Sequence, residues 1–403
     1  YCGLPLLPLS PSQTGLAGLL RSCAVRQAIA DTDASLHEGV SRLPADWLDC
    51  LPDGKTAEPA ALSGNRPQLL VSSSGTEGPP RAAMLSVDNL VSSATVSCGS
   101  LAMAANDNWL LCLPLTHIAG LMILFRCARA GAAVSVHEAF DADTVWAEVS
   151  SGRVTRLSLV PPMLSRLLEV SDGEPGTRGR SLIVGGGPIA PALIERAAGS
   201  GWPILTSYGM TETAAHVALG GPRLEDGLRA LPGTRIELAD DNGEAVSGRG
   251  RILVSGPTVM LGYGNAGLSP GEGLLETGRF LTRDLGEIDD QGRLRIVGRC
   301  DDVLISGGVK VQPTAIEDLL AGCPGVIEVG ITGRPDPVWG QRLVAVYVGD
   351  TGPDELRRWV GEHIDSSLRP REFMRVPELP RNRLGQLDRR RLGLLAASPQ
   401  DKC

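Results

Sequence analysis

Short apolar runs alternate with amphipathic stretches from residue 68 onward. The runs are rich in Leu, Ile and Val and cover residues 69–72, 109–113, 132–136, 156–160, 182–184 and 204–206. Helical patterns lie between them, for example over residues 161–170 and 191–198. This alternation predicts parallel strands joined by crossover helices, which is the pattern of an α/β fold.

The pattern changes after Gly233, where strand-like runs are separated by two turn signals. These are Asp-Asp-Asn-Gly at 240–243 and Asp-Asp-Gln-Gly at 289–292, and both predict hairpins in an antiparallel β subdomain. A mixed segment of strands and helices follows, long enough for a small α+β domain. We therefore expect a large N-terminal domain over residues 1–298 and a small C-terminal domain over 299–403, with the boundary at 299–302.

Composition and charge narrow the class of protein. The chain has 403 residues, a net charge of −8 and nine cysteines that are scattered singly. Without a basic field we expect no nucleic-acid partner and no anionic membrane surface. The scattered cysteines indicate reduced thiols, and residues 1–20 lack the basic start of a signal peptide, so we expect a cytoplasmic protein. The apolar run at 109–125 is interrupted by Pro114 and His117 and is too short to span a bilayer.

A loop rich in hydroxyls and glycine directly follows the first predicted strand. It contains Ser73, Ser74, Gly75 and Thr76 and ends on Arg81. Such a loop can surround phosphate oxygens with backbone N–H groups. The simpler interpretation is a Ser/Gly-rich surface loop, and the pattern is not that of a Walker motif.

A second group of polar residues follows the strand at 204–206. Tyr208 can face a purine, Thr211 can bind an α-phosphate, and Glu212 offers the carboxylate oxygen that Mg²⁺ prefers. Gly209 lies inside this group, and Gly187 ends a neighbouring strand, where ligands bind to open α/β sheets. The simpler alternative is an ordinary capped helix start.

A third group surrounds the expected domain boundary. Asp284 can accept hydrogen bonds from both ribose hydroxyls, and Arg299 can donate to the same sugar. Asp301 lies at the boundary itself. Taken alone, such charges more often belong to a solvated turn.

The order and spacing of the three groups resemble the motif series of the acyl-adenylate-forming superfamily, over residues 68–392. The family's phosphate loop, its aromatic-Gly-x-Thr-Glu element and its Gly-Tyr strand end correspond to residues 73–82, 208–212 and 262–263. The resemblance implies that Asp284 and Arg299 hold ribose, that Asp301 is the hinge of a mobile small domain, and that Gly307 and Gly308 approach the site when CoA attacks. It assigns CoA phosphates to Lys310, for which an exposed solubilising role is the plainer alternative.

Within the superfamily the chain is most similar to o-succinylbenzoate-CoA ligases. The similar stretches are residues 109–121, 157–161 and 210–214. In such ligases the histidine at position 117 lines the acyl pocket, so the resemblance assigns that place to His117. Ala215 and His216 depart from the pattern, and the region before the phosphate loop is short.

Two positions depart from the family where adenylation chemistry takes place. The last motif has Gln386 in place of the lysine that bridges the substrate carboxylate and the α-phosphate. A neutral amide cannot offset the charge that builds when two anions meet, and the loss of about 3–4 kcal/mol slows that step by two to three decades. Glu77 also replaces a family threonine, where it would repel the outer phosphates of ATP.

These departures predict an enzyme that takes a preformed acyl-AMP, supplied by a partner adenylating enzyme, and transfers the acyl group to CoA. In this respect it resembles non-adenylating ligases of actinobacterial natural-product pathways, including terpenoid pathways such as that of platensimycin. One alternative is a complete ATP-dependent ligase in which Gln386 is tolerated or Arg383 substitutes for lysine. Others are a redundant paralogue that is losing function and a catalytically silent nucleotide-binding scaffold.

Overall fold

The computed structural model describes residues 6–8, 23, 27–29, 41–43, 64–73, 81–173, 175, 181–264, 269–366, 368–382 and 386–397. Within them the chain forms 21 strands: β1 Gln27–Ile29, β2 Ser41–Leu43, β3 Pro67–Ser72, β4 Ala82–Ser86, β5 Asn108–Leu111, β6 Ala133–Val136, β7 Arg156–Leu159, β8 Ser181–Val184, β9 Ile204–Met210, β10 Ala215–Gly220, β11 Arg229–Ala230, β12 Arg235–Ala239, β13 Arg249–Ser255, β14 Gly262–Tyr263, β15 Phe280–Ile288, β16 Leu294–Arg299, β17 Leu304–Ser306, β18 Val309–Val311, β19 Val326–Asp336, β20 Gly340–Gly349 and β21 Glu372–Arg375. The helices in the same ranges are α1 Val87–Ser100, α2 Ile118–Ala130, α3 Ala142–Ser150, α4 Pro161–Val170, α5 Pro191–Gly199, α6 Pro313–Ala321, α7 Pro353–His363 and α8 Arg389–Ala397.

A seven-stranded sheet forms the centre of the large domain, and it confirms the predicted α/β fold. Its order is β11-β10-β9-β8-β7-β5-β6, and β5 to β9 are parallel to one another. Helix α2 packs on one face of the sheet, and α3, α4 and α5 pack on the other. Because both faces are covered, the strands read as continuous apolar runs, which is why they could be found in the sequence.

The prediction that the strand at 69–72 belongs to the parallel sheet is wrong. This strand is part of β3, which pairs antiparallel with β4, and β14 pairs with the other side of β4. The physical reason is that β4 begins at Ala82, so the loop between β3 and β4 is too short to hold the crossover helix that a parallel connection needs. The sequence pattern did not predict β4.

The predicted antiparallel subdomain is confirmed as a four-stranded sheet in the order β12-β13-β15-β16. Both turn signals join neighbouring strands: Asp240 accepts from the backbone N–H groups of Asn242 and Glu244, and Asp289 does the same for Gln291 and Arg293. These side-chain bonds explain why Asp-Asp-x-Gly works as a turn here.

The C-terminal part is a small domain with a core of its own. Strands β17 to β21 form one sheet, and α6 and α7 cover it with Ile316, Leu320, Leu356 and Val360 buried against Tyr347. The exact division of the chain at residues 298 and 299 stays a prediction. Among the described residues, no helix is both long and apolar enough to cross a membrane.

Candidate active site

Strand β9 carries the first site residue, Tyr208, to the carboxyl end of the parallel sheet. The phenol is buried, and its hydroxyl donates to Asp284 Oδ2 over 2.8 Å. Burial and the neighbouring carboxylate raise the pKa of Tyr208 well above its usual value. The tyrosine is therefore a neutral donor that holds Asp284.

Gly209 allows the two strands at this site to approach closely. A Cβ at Gly209 would lie 2.1 Å from the carbonyl oxygen of Ala215 and 2.4 Å from His216 Cα, both on β10. No side chain fits at such distances. The predicted role of Gly209 in nucleotide binding stays untested, but its structural role in the β9–β10 pair is clear.

A single turn of 3-10 helix, Thr211–Thr213, follows β9 and places the half-buried Thr211 at the end of that strand. The turn ends in left-handed backbone, with φ of 51° at Ala214 and 84° at Ala215. Left-handed backbone in residues other than glycine costs energy and is concentrated at functional sites. Among the residues that the structure describes, none forms a hydrogen bond with the Thr211 hydroxyl, so it can accept a ligand.

Glu212 points into the protein and is held by Tyr263, whose hydroxyl donates to Glu212 Oε1 over 2.7 Å. Burial raises the pKa of Glu212. The guanidinium of Arg81 lies over the Tyr263 ring, 3.6 Å from its centre, and also donates to Glu272 over 3.1 Å. The described residues contain no group of three acidic, His or Cys side chains that could hold a metal ion, so the Mg²⁺ role predicted for Glu212 would rely on ligands from a nucleotide.

Asp284 and Arg299 face each other across the β15–β16 pair. Arg299 donates to Asp284 Oδ1 over 3.1 Å and forms a bidentate pair with Asp301, at 2.9 and 2.7 Å. Burial raises the pKa of Asp284 despite the nearby guanidinium. Burial also opposes the charge of Arg299, but the two carboxylates outweigh it and raise its pKa. The predicted ribose pair and the predicted hinge residue are thus joined through one arginine.

The base of the predicted phosphate loop is closed by Ser73, whose backbone N–H and hydroxyl both donate to the carbonyl oxygen of Arg81, over 2.8 and 3.2 Å. Ser74, Gly75, Thr76 and Glu77 lie outside the described residues. The cation at the end of the loop, Arg81, is engaged with Tyr263 and Glu272 as described above.

His117 lies at the start of α2, as the residue before its first turn. It is partly buried, and this burial lowers the pKa of its imidazole. A neutral ring next to the helix N-terminus suits the border of an acyl pocket, which remains its predicted role.

Gln386 belongs to the small domain but reaches the large one. Its Nε2 donates to the carbonyl oxygen of Gly186, and a Cβ placed on Gly187 would lie 3.6 Å from Gln386 Cγ. Hydrogen bonds thus join Tyr208, Asp284 and Arg299, and Thr211 follows Tyr208 at the end of β9. Gln386 meets Gly186 and Gly187 at the end of β8, the strand that pairs with β9.

Gly307 and Gly308 form the turn between β17 and β18, with φ of 58° and 80°. The Gly307 N–H donates to the carbonyl oxygen of Trp339 in the same domain. Lys310 is exposed on β18 and has no partner among the described residues. No contact described for Gly307, Gly308 or Lys310 reaches Tyr208, so their predicted roles toward CoA presuppose a rotation of the small domain.

The sequence did not reveal a buried cation behind β10. Arg126 on α2 is 2% exposed, and its guanidinium donates to His216 Nδ1 over 3.3 Å, while His216 Nε2 lies 2.8 Å from the Ser97 hydroxyl. Burial lowers the pKa of Arg126 to about 10 and keeps His216 neutral by lowering its pKa well below the usual value. The unexpected His216 in the sequence was the one available signal for this network.

The chain was compared with known families and proteins. The AMP-binding enzyme family matches residues 13–264, and the AMP-binding enzyme C-terminal domain matches residues 315–386. The chain is 36% identical over 327 residues to the 2-succinylbenzoate–CoA ligase of Bacillus licheniformis. The aligned region covers 79% of this chain and 68% of the ligase.

Among solved structures, the chain resembles the o-succinylbenzoate CoA synthetase of Bacillus subtilis in complex with its acyl-adenylate intermediate. The TM-score is 0.84 at 28% identity, over 98% of this chain and 82% of the synthetase. For the same synthetase bound to ATP and magnesium, the TM-score is 0.83 at 29% identity, over 95% of this chain and 82% of the synthetase. For a double mutant of the synthetase bound to a CoA product analogue, the TM-score is 0.59 at 31% identity, over 88% of this chain and 74% of the mutant. The present chain thus superimposes better on the adenylate-bound and ATP-bound forms than on the CoA-analogue form.

Proposed function

This chain belongs to the AMP-binding enzyme family, among its acyl-CoA ligases, and from that premise we propose that it transfers an acyl group from a preformed acyl-AMP to CoA and releases AMP. The observation that carries this proposal is the neutral Gln386, which bonds to Gly186 where the family motif has a lysine. An adenylating enzyme needs a cation at this position, whereas a thioesterifying one does not.

The positively charged side chains near the site are already in ion pairs, which supports the proposal. Arg81 is already paired with Glu272 and stacked on Tyr263, and Arg299 is paired with two carboxylates. The described residues contain one lysine, Lys310, which is exposed on the small domain. Among the described residues, attack of a carboxylate on ATP would therefore lack a charged donor that in other enzymes accounts for about 3–4 kcal/mol. Arg383, the candidate substitute for the lysine, lies outside the described residues.

The second half-reaction asks less of the protein. The CoA sulfur attacks the acyl carbonyl carbon, the C–S bond forms, and the C–O bond to phosphate breaks as AMP leaves with its electron pair. The thiol proton is lost to solvent. Because the mixed anhydride is already activated, binding and orientation supply most of the acceleration.

We assign Thr211 to the phosphate, Asp284 and Arg299 to the ribose, Tyr208 to the adenine and His117 to the acyl pocket. Mg²⁺ at Glu212 would be an accessory to nucleotide binding.

The decisive experiment separates the two half-reactions. Wild-type protein is given o-succinylbenzoyl-AMP and a panel of aryl and alkyl acyl-AMPs with CoA but without ATP, and ATP–pyrophosphate exchange is measured separately with the matching acids. We expect thioester from at least one acyl-AMP and background exchange with every acid. Gln386→Lys alone should restore little exchange, and its combination with Glu77→Thr should restore more than the sum of the single variants.

Robust wild-type exchange would contradict the proposal and favour a complete ATP-dependent ligase, for which the likeness to an ATP-bound synthetase is the supporting observation. Absence of both activities, together with no stabilisation by AMP, would favour a silent scaffold.

A further inference from the structure

Asn382 and Gln386 are joined by three hydrogen bonds in the small domain. The Asn382 N–H donates to the Gln386 carbonyl over 2.8 Å, and the Gln386 N–H donates to Asn382 Oδ1 over 3.0 Å. The third bond runs from Asn382 Nδ2 to Gln386 Oε1, over 3.0 Å. An antiparallel bridge between Arg381 and Leu387 flanks them.

This arrangement fixes the direction of the Gln386 amide. Its oxygen is bound by Asn382, so its NH₂ group points away from the loop and meets the carbonyl oxygen of Gly186 in the large domain. Gly186 lies in a loop with left-handed backbone, φ 78°, directly after β8. The bond therefore connects the two domains at the end of β8, the strand that pairs with the Tyr208 strand β9.

We propose that Asn382 is a positioning residue that holds Gln386 as an uncharged latch, closing the small domain over bound acyl-AMP and protecting the mixed anhydride from water until CoA arrives. This inference rests on the proposed function. A lysine ammonium would be attracted to the phosphate of the ligand, whereas the neutral amide binds the carbonyl of Gly186 without such an attraction. The latch can therefore close without drawing on the phosphate charge, and closure excludes water from the site.

The side reaction that the latch suppresses is hydrolysis. Water attacks the acyl carbonyl carbon, a C–O bond forms, the C–O bond to phosphate breaks, and the free acid and AMP are released with one proton. The fraction of acyl-AMP that ends as free acid rather than thioester therefore reports how well the domain stays closed.

Two variants of Asn382 separate latching from loop structure. Asn382→Ala removes both side-chain contacts to Gln386. Asn382→Asp keeps an acceptor for the Gln386 N–H but replaces the donor with a carboxylate, which repels Gln386 Oε1 and attracts its NH₂ group away from Gly186. We expect both variants, and Gln386→Ala, to raise the free-acid fraction by about three- to tenfold, with no further rise in the Asn382→Ala/Gln386→Ala double variant, as for residues that act as one unit.

Asn242→Ala, in the exposed β12–β13 turn, is the matched control and should keep the wild-type fraction. If Asn382→Asp behaves as wild type while Asn382→Ala does not, Asn382 is only a loop residue and the latch is overturned. Equal fractions in all variants overturn it as well.

The proposed function can fail separately. If wild type makes no thioester, hydrolysis of acyl-AMP on the enzyme without CoA still decides the latch: faster hydrolysis in the Asn382 variants supports it, and equal rates overturn it.

Discussion

At the scale of single residues, Asp284 shows what it costs to bury a carboxylate at the proposed ribose site. Both of its oxygens are bound, one by Tyr208 and one by Arg299, and yet burial raises its pKa. The ionised carboxylate is thus less favourable in the folded protein than in the unfolded chain. Such groups are retained where function needs a charged acceptor.

Asp284→Asn should therefore weaken AMP binding without weakening the fold. Loss of a charged acceptor should cost about 1–3 kcal/mol of affinity, measured by titration calorimetry. Because the folded pKa of Asp284 is raised, wild type loses stability as pH rises from the usual aspartate range through that pKa, and the variant does not. The melting temperature of the variant relative to wild type should therefore increase from pH 4 to pH 7.

Arg299 keeps its pair with Asp301 in this variant, so no guanidinium is left without a carboxylate. Asp226→Asn, at an exposed position, should change neither quantity. Unchanged AMP affinity in Asp284→Asn would remove this residue from the nucleotide site.

At the scale of elements, the β9–β10 hairpin positions the proposed site residues Tyr208 and Thr211. Tyr208 precedes Gly209, and the 3-10 turn that carries Thr211 and Glu212 leads through two left-handed alanines into β10. The close approach at Gly209 is what lets this turn double back within so few residues. The close packing of β9 against β10 at Gly209 is therefore needed for the fold, whether or not a ligand is bound.

Gly209→Ala should destabilise the protein by about 1–3 kcal/mol or more, because the new methyl group overlaps the Ala215 carbonyl. Gly221→Ala is the matched control, since a Cβ there meets no atom within 4 Å. Urea unfolding should show a lower midpoint for the first variant and a near-normal one for the second. Equal midpoints would mean that β10 can move away at little cost.

At the scale of the whole molecule, Arg299 connects the proposed ribose residue Asp284 to the predicted domain boundary at Asp301. It binds Asp284 on one side and Asp301 on the other, and Arg283 also donates to Asp301 over 3.3 Å. The present domain arrangement brings Gln386 to Gly186, whereas Gly307 donates to Trp339 within the small domain. Thioester formation as proposed needs the small domain to rotate.

Asp301→Pro should lower turnover more than it lowers AMP affinity, because proline fixes φ at the proposed hinge. Asp301→Ala removes the same ion pairs but leaves the backbone free, so it should retain more turnover than the proline variant. Steady-state kinetics and calorimetry check the two quantities. Equal losses of binding and turnover in Asp301→Pro would contradict a hinge at this residue.

Local signals account for what the sequence predicted well. The buried strands β5 to β9 are continuous apolar runs, and the Asp240 and Asp289 turns carry their own side-chain bonds, so both could be recognised from short stretches. The pairing of β3 could not, because it depends on the position of β4 across a loop. Contacts between distant residues were equally out of reach: Tyr208 and Asp284 are 76 positions apart, and Gln386 and Gly186 are 200 apart. The motif resemblance grouped Tyr208 with Asp284, but only the fold shows that they bind each other.

The amide at position 386 also changes what an enclosed acyl donor can react with. A mixed anhydride acylates free amines, whereas the nitrogen of a glutamine side chain is not nucleophilic because its lone pair is shared with the carbonyl. In the part of the chain that the structure describes, the single lysine is Lys310, exposed on the small domain. With Gln386 against Gly186, the closed site has no side-chain amine from these residues beside the acyl group. An acyl-AMP held there as proposed would therefore meet no lysine of the described residues.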